Sequence, residues 1–272
     1  MAAGHRAPVA APGISRHPFW PGAQPMKSAP VTLALGGFPV LCTRGEELQH
    51  RLHMHLRAGD QMAVFFANTN FVVRCQGLQP AMAEGCLIIN DGVGVDIATW
   101  LVHRKRFPQN LNGSDFVPGF LRELGRDARV FLFGGKPGIA QRAAQALRED
   151  FAVPVVGTSD GYSQASDNEG LVERINASGA TVLLVAMGNP LQEQWILQHR
   201  NQLEARLLIG VGALLDFLAG DKPRAPHWVR RLRLEWLYRL TLEPARLARR
   251  YTLDIAVFLA LCLRRGKRVS EG

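Results

Sequence analysis

Short runs of β-branched and other apolar residues alternate with amphipathic stretches between residues 30 and 220. The apolar runs have the length and composition of buried strands. The predicted strands are Val31–Leu35, Ala63–Ala67, Leu87–Ile89, Arg129–Phe133, Val153–Val156, Thr181–Ala186 and Leu207–Ile209. Helical periodicity is clearest over Gly138–Glu149, Glu169–Ala177 and Leu191–Gln202. Because strands that alternate with such helices form βαβ units, the pattern predicts an α/β fold with a mainly parallel sheet and flanking helices.

Several of the predicted strands end in a glycine or an asparagine. These residues are Asn68, Asn90, Gly134, Gly188 and Gly210. In open, Rossmann-like sheets the ligand binds outside the carboxyl ends of the strands. We therefore predict a Rossmann-like catalytic domain over residues 30–220, with its site at that edge of the sheet.

The pattern changes after Gly220, where prolines punctuate two helical stretches, Trp228–Leu240 and Pro244–Arg265. The second stretch has an apolar side with arginines nearby, and two interpretations of it stay open. It is either an interfacial helix on a membrane surface or a helix packed on the body with a solvated basic face. Residues 221–272 are thus predicted to form a basic helical appendage. Residues 1–29, rich in Ala, Gly and Pro, are predicted to be a disordered leader.

Residues 222–272 carry the whole net charge of +9. From Lys222 onward there are eleven Arg and two Lys against four acidic residues, whereas basic and acidic residues balance in the rest of the chain. Such a tail attracts a polyanion, which can be nucleic acid, an anionic membrane or a phosphorylated ligand. Nucleic-acid binding therefore remains the alternative function, although the arginines are interleaved with aromatic residues and show no recognisable reading motif.

Some classes of protein are disfavoured by what the sequence lacks. No apolar run approaches the roughly 18 residues that a membrane-spanning helix needs, so the chain is expected to be soluble or to rest on a surface. The four cysteines include no CxxC pair, which argues against a zinc site and fits a reducing cytoplasm. No Asp-x-Asp pair occurs, so the carboxylate pair that often holds a metal–diphosphate complex is missing.

The segment Asn90–Val95 joins an apolar strand to a carboxylate and two glycines. Asp91 at a strand end is well placed as a general base, and desolvation there would raise its pKa toward a useful range. The alternative is an aspartate that caps the following helix.

Two further strand-to-helix junctions are candidates for ligand contacts. Gly135 lies in a turn of glycines and a lysine at a helix N-terminus, which suits a diphosphate, although a plain tight turn is equally consistent with the spacing. Gln192 and Glu193 fall in the first turn of the next predicted helix, where side chains can reach a ligand above the sheet. A helix cap that places Glu193 near the positive end of the dipole is the alternative.

Taken together, these segments resemble the WecG/TagA/CpsF family of bacterial glycosyltransferases from about Val31 to Tyr251. The matching pieces occur in the family's order, which makes the resemblance specific. They are Asn90–Val95, Asn112–Phe116, Phe131–Gly138, Gly188–Glu193, Arg224–Pro226, Glu235–Arg239 and Glu243–Arg246.

The resemblance implies an inverting transfer of a hexose or N-acetylhexosamine from a UDP-sugar to a polyprenyl-diphosphate-linked saccharide, in cell-surface or exopolysaccharide biosynthesis. It makes Asp91 the general base, without a metal or other cofactor. It implies substrate contacts from Asn68, with Asn70 as the fallback if the register slips by two, and from Asp115, Gly135, Gln192 and Glu193. Asn110 stands where many members carry an Arg, which leaves a plain hexose such as glucose open as the transferred sugar.

The resemblance also assigns roles to the appendage. Three of its arginines, Arg239, Arg246 and Arg249, would complete the active site and stabilise the charge of the leaving UDP. Arg224 would be a further substrate-binding residue. The apolar and basic side from Phe258 to Arg265 would meet an anionic membrane. We therefore expect a cytoplasmic enzyme peripheral to the inner face of the cell membrane, with no nucleic-acid partner and with a homo-oligomer possible.

Overall fold

The computed structural model describes residues 31–161, 168–226, 228–229, 234–242 and 254–264. At its centre lies a sheet with the strand order β1-β2-β4-β3-β8-β7-β5-β6. The strands are β1 Thr32–Leu35, β2 Phe38–Leu41, β3 Met62–Ala67, β4 Cys86–Asn90, β5 Val130–Gly134, β6 Val155–Ser159, β7 Val182–Ala186 and β8 Leu207–Gly210. The β1–β2 pair is antiparallel and the other pairings are parallel, which confirms the mainly parallel α/β sheet.

Helices cover both faces of this sheet. They are α1 Gly45–Ala58, α2 Thr69–Arg74, α3 Val93–His103, α4 Gly113–Leu124, α5 Ile139–Phe151, α6 Asn168–Ala177, α7 Leu191–His199, α8 Leu214–Leu218 and α9 Glu235–Leu242. Residues 254–264 are also helical and are called the C-terminal helical segment below. Among the helices described here, none has both the length and the apolar character needed to cross a bilayer.

The alternation of side chains along the strands creates two apolar cores. In β3, Phe65 belongs to the core that α2, α3, α6, α7 and the C-terminal helical segment cover, which we call the α3 face. Its neighbours Val64 and Phe66 belong to the core under α1, α4, α5 and α8, which we call the α1 face. Both faces of the sheet are therefore buried, as the continuous apolar runs of the sequence predict for a parallel sheet.

The sequence-based strands are all present, but the interpretation missed β2. Gly36 and Gly37 have φ of +57° and +91° and form a two-residue turn between β1 and β2. Both central residues of such a turn need positive φ, which glycine adopts at little cost. The first strand is consequently half of an antiparallel hairpin at the edge of the sheet rather than the start of a βαβ unit.

The predicted continuous helix over Trp228–Leu240 is wrong at Leu234. Residues 228–229 are helical, Leu234 is not, and α9 begins at the next residue. The amide of Leu234 donates to the carbonyl of Val229, five residues back, while its own carbonyl accepts from Tyr238. Leu234 thus ends one turn and begins another, and Glu235 in the first turn of α9 is favourable for the helix dipole.

The C-terminal helical segment packs on the α3 face of the sheet. Phe258 and Cys262 are buried in that core, and Asp254 pairs with Arg74 of α2 at 3.7 Å. Of the two interpretations left open for this stretch, residues 254–264 follow the packed one. Phe258 and Cys262 are therefore covered by the protein itself, whereas Leu263 is 49% exposed and Arg264 is exposed, so a membrane contact of this segment stays a prediction.

Candidate active site

A cleft of about 750 Å³ opens at the carboxyl ends of β3, β4, β7 and β8. This is the edge at which open α/β sheets bind ligands. One wall of the cleft is polar, with a carboxylate and several amides. The polar lining residues include Asn68, Asp91, Asn110, Asn112, Asp115, Asn189 and Gln192. A cleft of this volume is within the ordinary range for a small-molecule site.

Asp91 lies directly after β4, where its backbone amide donates to the carbonyl of Ala67 at the end of β3. The side-chain Nδ2 of Asn68 is 3.4 Å from Oδ2 of Asp91. Asn68 is itself held, because it is the N-cap residue of α2 and its Oδ1 accepts from the amide of Phe71 at 3.1 Å. That bond turns the donor end of the Asn68 amide toward the carboxylate. The N-cap residue of α3 is Gly92, so Asp91 lies one residue outside the helix rather than at its cap.

Asn110 supports the loop that carries Asp91. Its Oδ1 accepts from the amide of Gly92 at 3.1 Å, and its Nδ2 donates to Oδ2 of Asp96 at 3.3 Å. The side chain therefore links the start of α3 to the segment before α4 while it also lines the cleft. Asn110 consequently has a visible structural task in addition to any contact with substrate.

Gln192 and Glu193 occupy different places although they are adjacent in sequence. Gln192 is at the floor of the cleft, where its Oε1 accepts from the amide of Gly212 at 3.0 Å and its Nε2 donates to Glu193 at 2.7 Å. Glu193 is 0% exposed and does not line the cleft, and Asn189 Nδ2 also donates to it at 2.7 Å. The Glu193 carboxylate is turned inward to hold two amides, so a direct contact of Glu193 with substrate stays a prediction that this arrangement does not favour.

Burial raises the pKa of the Glu193 carboxyl, while hydrogen bonds from Gln192 and Asn189 act in the opposite direction. The thiol of Cys75 approaches the second carboxylate oxygen at 3.7 Å. Its own pKa is raised by burial first and by the nearby carboxylate second. The site thus rests on a buried polar network. The sequence shows its members only as polar residues and does not show that they contact one another.

The other residues predicted for the site divide into two groups. Asn70 does not line the cleft; its Nδ2 donates to Oδ1 of Asn189 at 3.2 Å and so joins the network behind the wall. Gly135 also lies outside the cleft, and its amide donates to the carbonyl of Ala186. The Gly135 amide is thus used within the fold, and a diphosphate contact at this turn stays a prediction. Asp115 lines the cleft and pairs with Arg224, whose guanidinium lies 6.0 Å from the ring centre of Phe217.

The apolar part of the cleft lining, called the apolar wall, comes partly from the appendage. It includes Ile97 of α3, Trp236 of α9, and Ile255, Phe258 and Leu259 of the C-terminal helical segment, beside body residues such as Phe66 and Val211. Glu235 also lines the cleft, and Asn112 Nδ2 is 3.5 Å from its Oε2. Sequence reasoning expected the appendage at the site through its arginines and missed Trp236 and Ile255. The aromatic and apolar residues of a basic tail were the available signal.

A comparison with protein families decides the identity of this fold. The model of the glycosyl transferase WecG/TagA/CpsF family matches residues 33–271. The chain belongs to the WecG/TagA/CpsF family of glycosyltransferases. The match covers the α/β body and the appendage together, so both belong to the same transferase.

In this glycosyltransferase the tail arginines are only partly described. Arg239 lies on α9, but its side chain is outside the described set, as are Arg246 and Arg249 entirely. Among the residues that the structure describes, no group of three or more His, Cys, Asp or Glu is placed to hold a metal ion. A metal-independent reaction remains a prediction.

Proposed function

We propose that this WecG/TagA/CpsF glycosyltransferase moves a hexose or N-acetylhexosamine from a UDP-sugar to a polyprenyl-diphosphate-linked saccharide. The enzyme would act in exopolysaccharide or other cell-surface polysaccharide synthesis, as a peripheral protein at the inner face of the cell membrane. One observation carries the proposal: a carboxylate, Asp91, lies at a strand end in a cleft with one polar and one apolar wall. The polar wall suits sugar hydroxyls and the apolar wall suits a lipid-linked acceptor.

Asp91 is proposed as the general base of a single displacement. The acceptor hydroxyl gives its proton to the carboxylate while its oxygen forms a bond to the anomeric carbon of the donor. The bond from that carbon to the diphosphate oxygen breaks, and UDP leaves with the electron pair. Attack from the side opposite to the leaving group inverts the anomeric configuration. Asn68 would keep the carboxylate oriented, because its amide is fixed by the α2 cap.

Charge on the leaving UDP must be stabilised by something other than the described cleft wall. The residues that line the cleft include the acidic Asp91, Asp115 and Glu235, and no Arg or Lys occurs among those lining residues that the structure describes. Arg239, Arg246 and Arg249 belong to the same appendage that supplies Trp236 and Ile255 to the cleft. We therefore assign the diphosphate to these arginines, since guanidinium groups bind phosphate oxygens in a bidentate manner.

The proposal for the identity of the transferred sugar rests on one residue, Asn110. Asn110 offers a neutral amide where many members of the family carry an Arg, so it cannot neutralise a carboxylate or a phosphate. Its two hydrogen bonds to the α3 start also fix its orientation. A neutral hexose such as glucose is consistent with this wall, and N-acetylmannosamine remains a second candidate.

The experiment is a UDP-release assay with a panel of UDP-sugars and a polyprenyl-diphosphate-linked acceptor, in the presence of EDTA. We expect one donor to give acceptor-dependent UDP release that EDTA does not abolish. If none of the UDP-sugars gave UDP release, the proposed substrate class would be contradicted. If release required an added divalent cation, the metal-independent mechanism would be contradicted. A mobility shift with duplex DNA at matched salt addresses the nucleic-acid alternative, for which strong salt-dependent binding to generic DNA is the signature.

A further inference from the structure

The outward side of α3 is apolar. Ile97 is 51% exposed, Trp100 46% and Leu101 38%. Their spacing of three and four residues places them on one side of the helix. On the inward side Val95 and Ala98 are fully buried in the α3-face core. A helix on the surface of a globular protein normally turns polar residues outward, so α3 has a second apolar side that its packing on the body does not explain.

Basic residues follow this apolar side directly. Arg104, Lys105 and Arg106 are all exposed at the end of α3. The guanidinium carbon of Arg104 lies 5.0 Å from the ring centre of Trp100, so the charge and the aromatic ring form one surface. Tryptophan beside exposed arginine and lysine is typical of the boundary between the apolar and headgroup regions of a bilayer.

The same side of α3 is continuous with the cleft. Ile97 is both one of the three exposed apolar residues and part of the apolar cleft wall with Trp236, Ile255 and Leu259. A surface that covered Trp100 and Leu101 would therefore meet the apolar edge of the cleft opening. If that covering surface holds the lipid part of the acceptor, the saccharide part can enter the cleft while the lipid part stays in the surface.

We propose that Ile97, Trp100 and Leu101, with Arg104, Lys105 and Arg106, form a docking surface for an anionic lipid bilayer. We call this surface the α3 patch. The charge of the patch favours an anionic partner, because three consecutive cations beside an apolar patch complement anionic headgroups. The inference adds to the proposed function a second membrane contact, distinct from the appendage, and rests on that function only for the origin of the lipid.

The test is flotation of the full-length protein with phosphatidylcholine vesicles, with and without phosphatidylglycerol. The double variant Trp100→Gln/Leu101→Gln should lose about tenfold or more in vesicle partitioning, since two half-exposed apolar side chains no longer insert. Met54→Gln on α1 is the matched control, because Met54 is 48% exposed on the opposite side of the sheet, and it should float like the wild type. Lys105→Gln/Arg106→Gln should lower binding only when phosphatidylglycerol is present.

Two results would overturn the proposal. One is unchanged flotation of the Trp100/Leu101 variant in a protein whose circular dichroism and Tm match the wild type. The other is a lower molar mass of this variant than of the wild type, measured by light scattering without lipid. That result would assign the patch to contact with a second copy of the chain. Neither residue lines the cleft, so the variant should release UDP at the wild-type rate with a water-soluble short-chain acceptor. A wild type that releases no UDP with any donor would instead refute the proposed function and leave the flotation result standing.

Discussion

Replacing Glu193 by leucine would remove the acceptor that holds the buried amide of Gln192 and the half-buried amide of Asn189. Gln192 Nε2 and Asn189 Nδ2 each donate to Oε1 of Glu193 at 2.7 Å. A buried donor left without its acceptor costs about 1–3 kcal/mol, so we expect the free energy of unfolding to fall by about that amount through Gln192, because the Asn189 amide lines the cleft and can bond to water. Leucine is no smaller than glutamate, so this loss does not report a cavity. Urea denaturation followed by circular dichroism measures it.

Glu193→Gln is the matched control because its side-chain oxygen can still accept both bonds. We expect this variant to lose far less stability than Glu193→Leu and to retain most of kcat/KM. In Glu193→Leu the Gln192 amide is held only through its bond from Gly212, so KM for the UDP-sugar should rise even at temperatures where the variant is folded. Equal activity of Glu193→Leu and wild type, or equal damage from both variants, would refute a positioning role for Glu193.

The pH dependence of stability gives a second, independent readout of the same residue. Burial raises the pKa of Glu193 above its ordinary value of 4.5, so the folded protein holds this proton more tightly than the unfolded chain. Its stabilising contribution is therefore fully present below pH 4.5 and is lost as the pH rises through the folded-state pKa. The stability of the wild type relative to Glu193→Gln should fall over that interval. A difference that grows with pH would contradict burial as the dominant cause.

Three other predictions concern the appendage and the reaction. Cys262 should resist iodoacetamide in the native protein while the half-buried Cys42 reacts, because burial raises the pKa of the Cys262 thiol to about 12. Mass spectrometry detects the label, and rapid labelling of Cys262 would contradict the packing of the C-terminal helical segment. Arg246→Gln and Arg249→Gln should each lower kcat/KM by about 10²–10³-fold with little change in Tm, and an unchanged kcat/KM would remove that arginine from the diphosphate site. NMR of the product should show an anomeric configuration opposite to that of the donor, and retention would exclude a single displacement.

The parallel core was predictable because its strands are apolar throughout. All five residues of β5 and all five of β7 are buried, and such runs bounded by glycine have few other interpretations. Two local sequence signals, one for a hairpin and one for a helix, were not recognised. The pair Gly36-Gly37 between apolar runs marks the β1–β2 hairpin, and the repeat Leu48, Leu52, Leu56 marks the buried side of α1.

The arrangement of the site was only partly predictable. Asn68 and Asp91 follow neighbouring strands, so the strand pattern alone indicates that they meet. The inward turn of Glu193 depends instead on Asn189 and Gln192, which both donate to one of its buried oxygens, and local sequence cannot show which side chain faces the ligand. The place of Trp236 in the cleft depends on contacts between segments more than a hundred residues apart, which a pattern of hydrophobic positions does not encode.

The central claim is that Asp91 is the base that activates the acceptor hydroxyl. The most direct measurement is the steady-state rate of acceptor-dependent UDP release by Asp91→Asn, beside Asp60→Asn as a matched control at an exposed aspartate before the start of β3, at the end of that strand away from the cleft. We expect kcat of Asp91→Asn to fall by about 10²–10⁴-fold, with Tm and the Kd for the UDP-sugar unchanged, while Asp60→Asn keeps the wild-type rate. A kcat for Asp91→Asn close to that of the wild type would contradict the account.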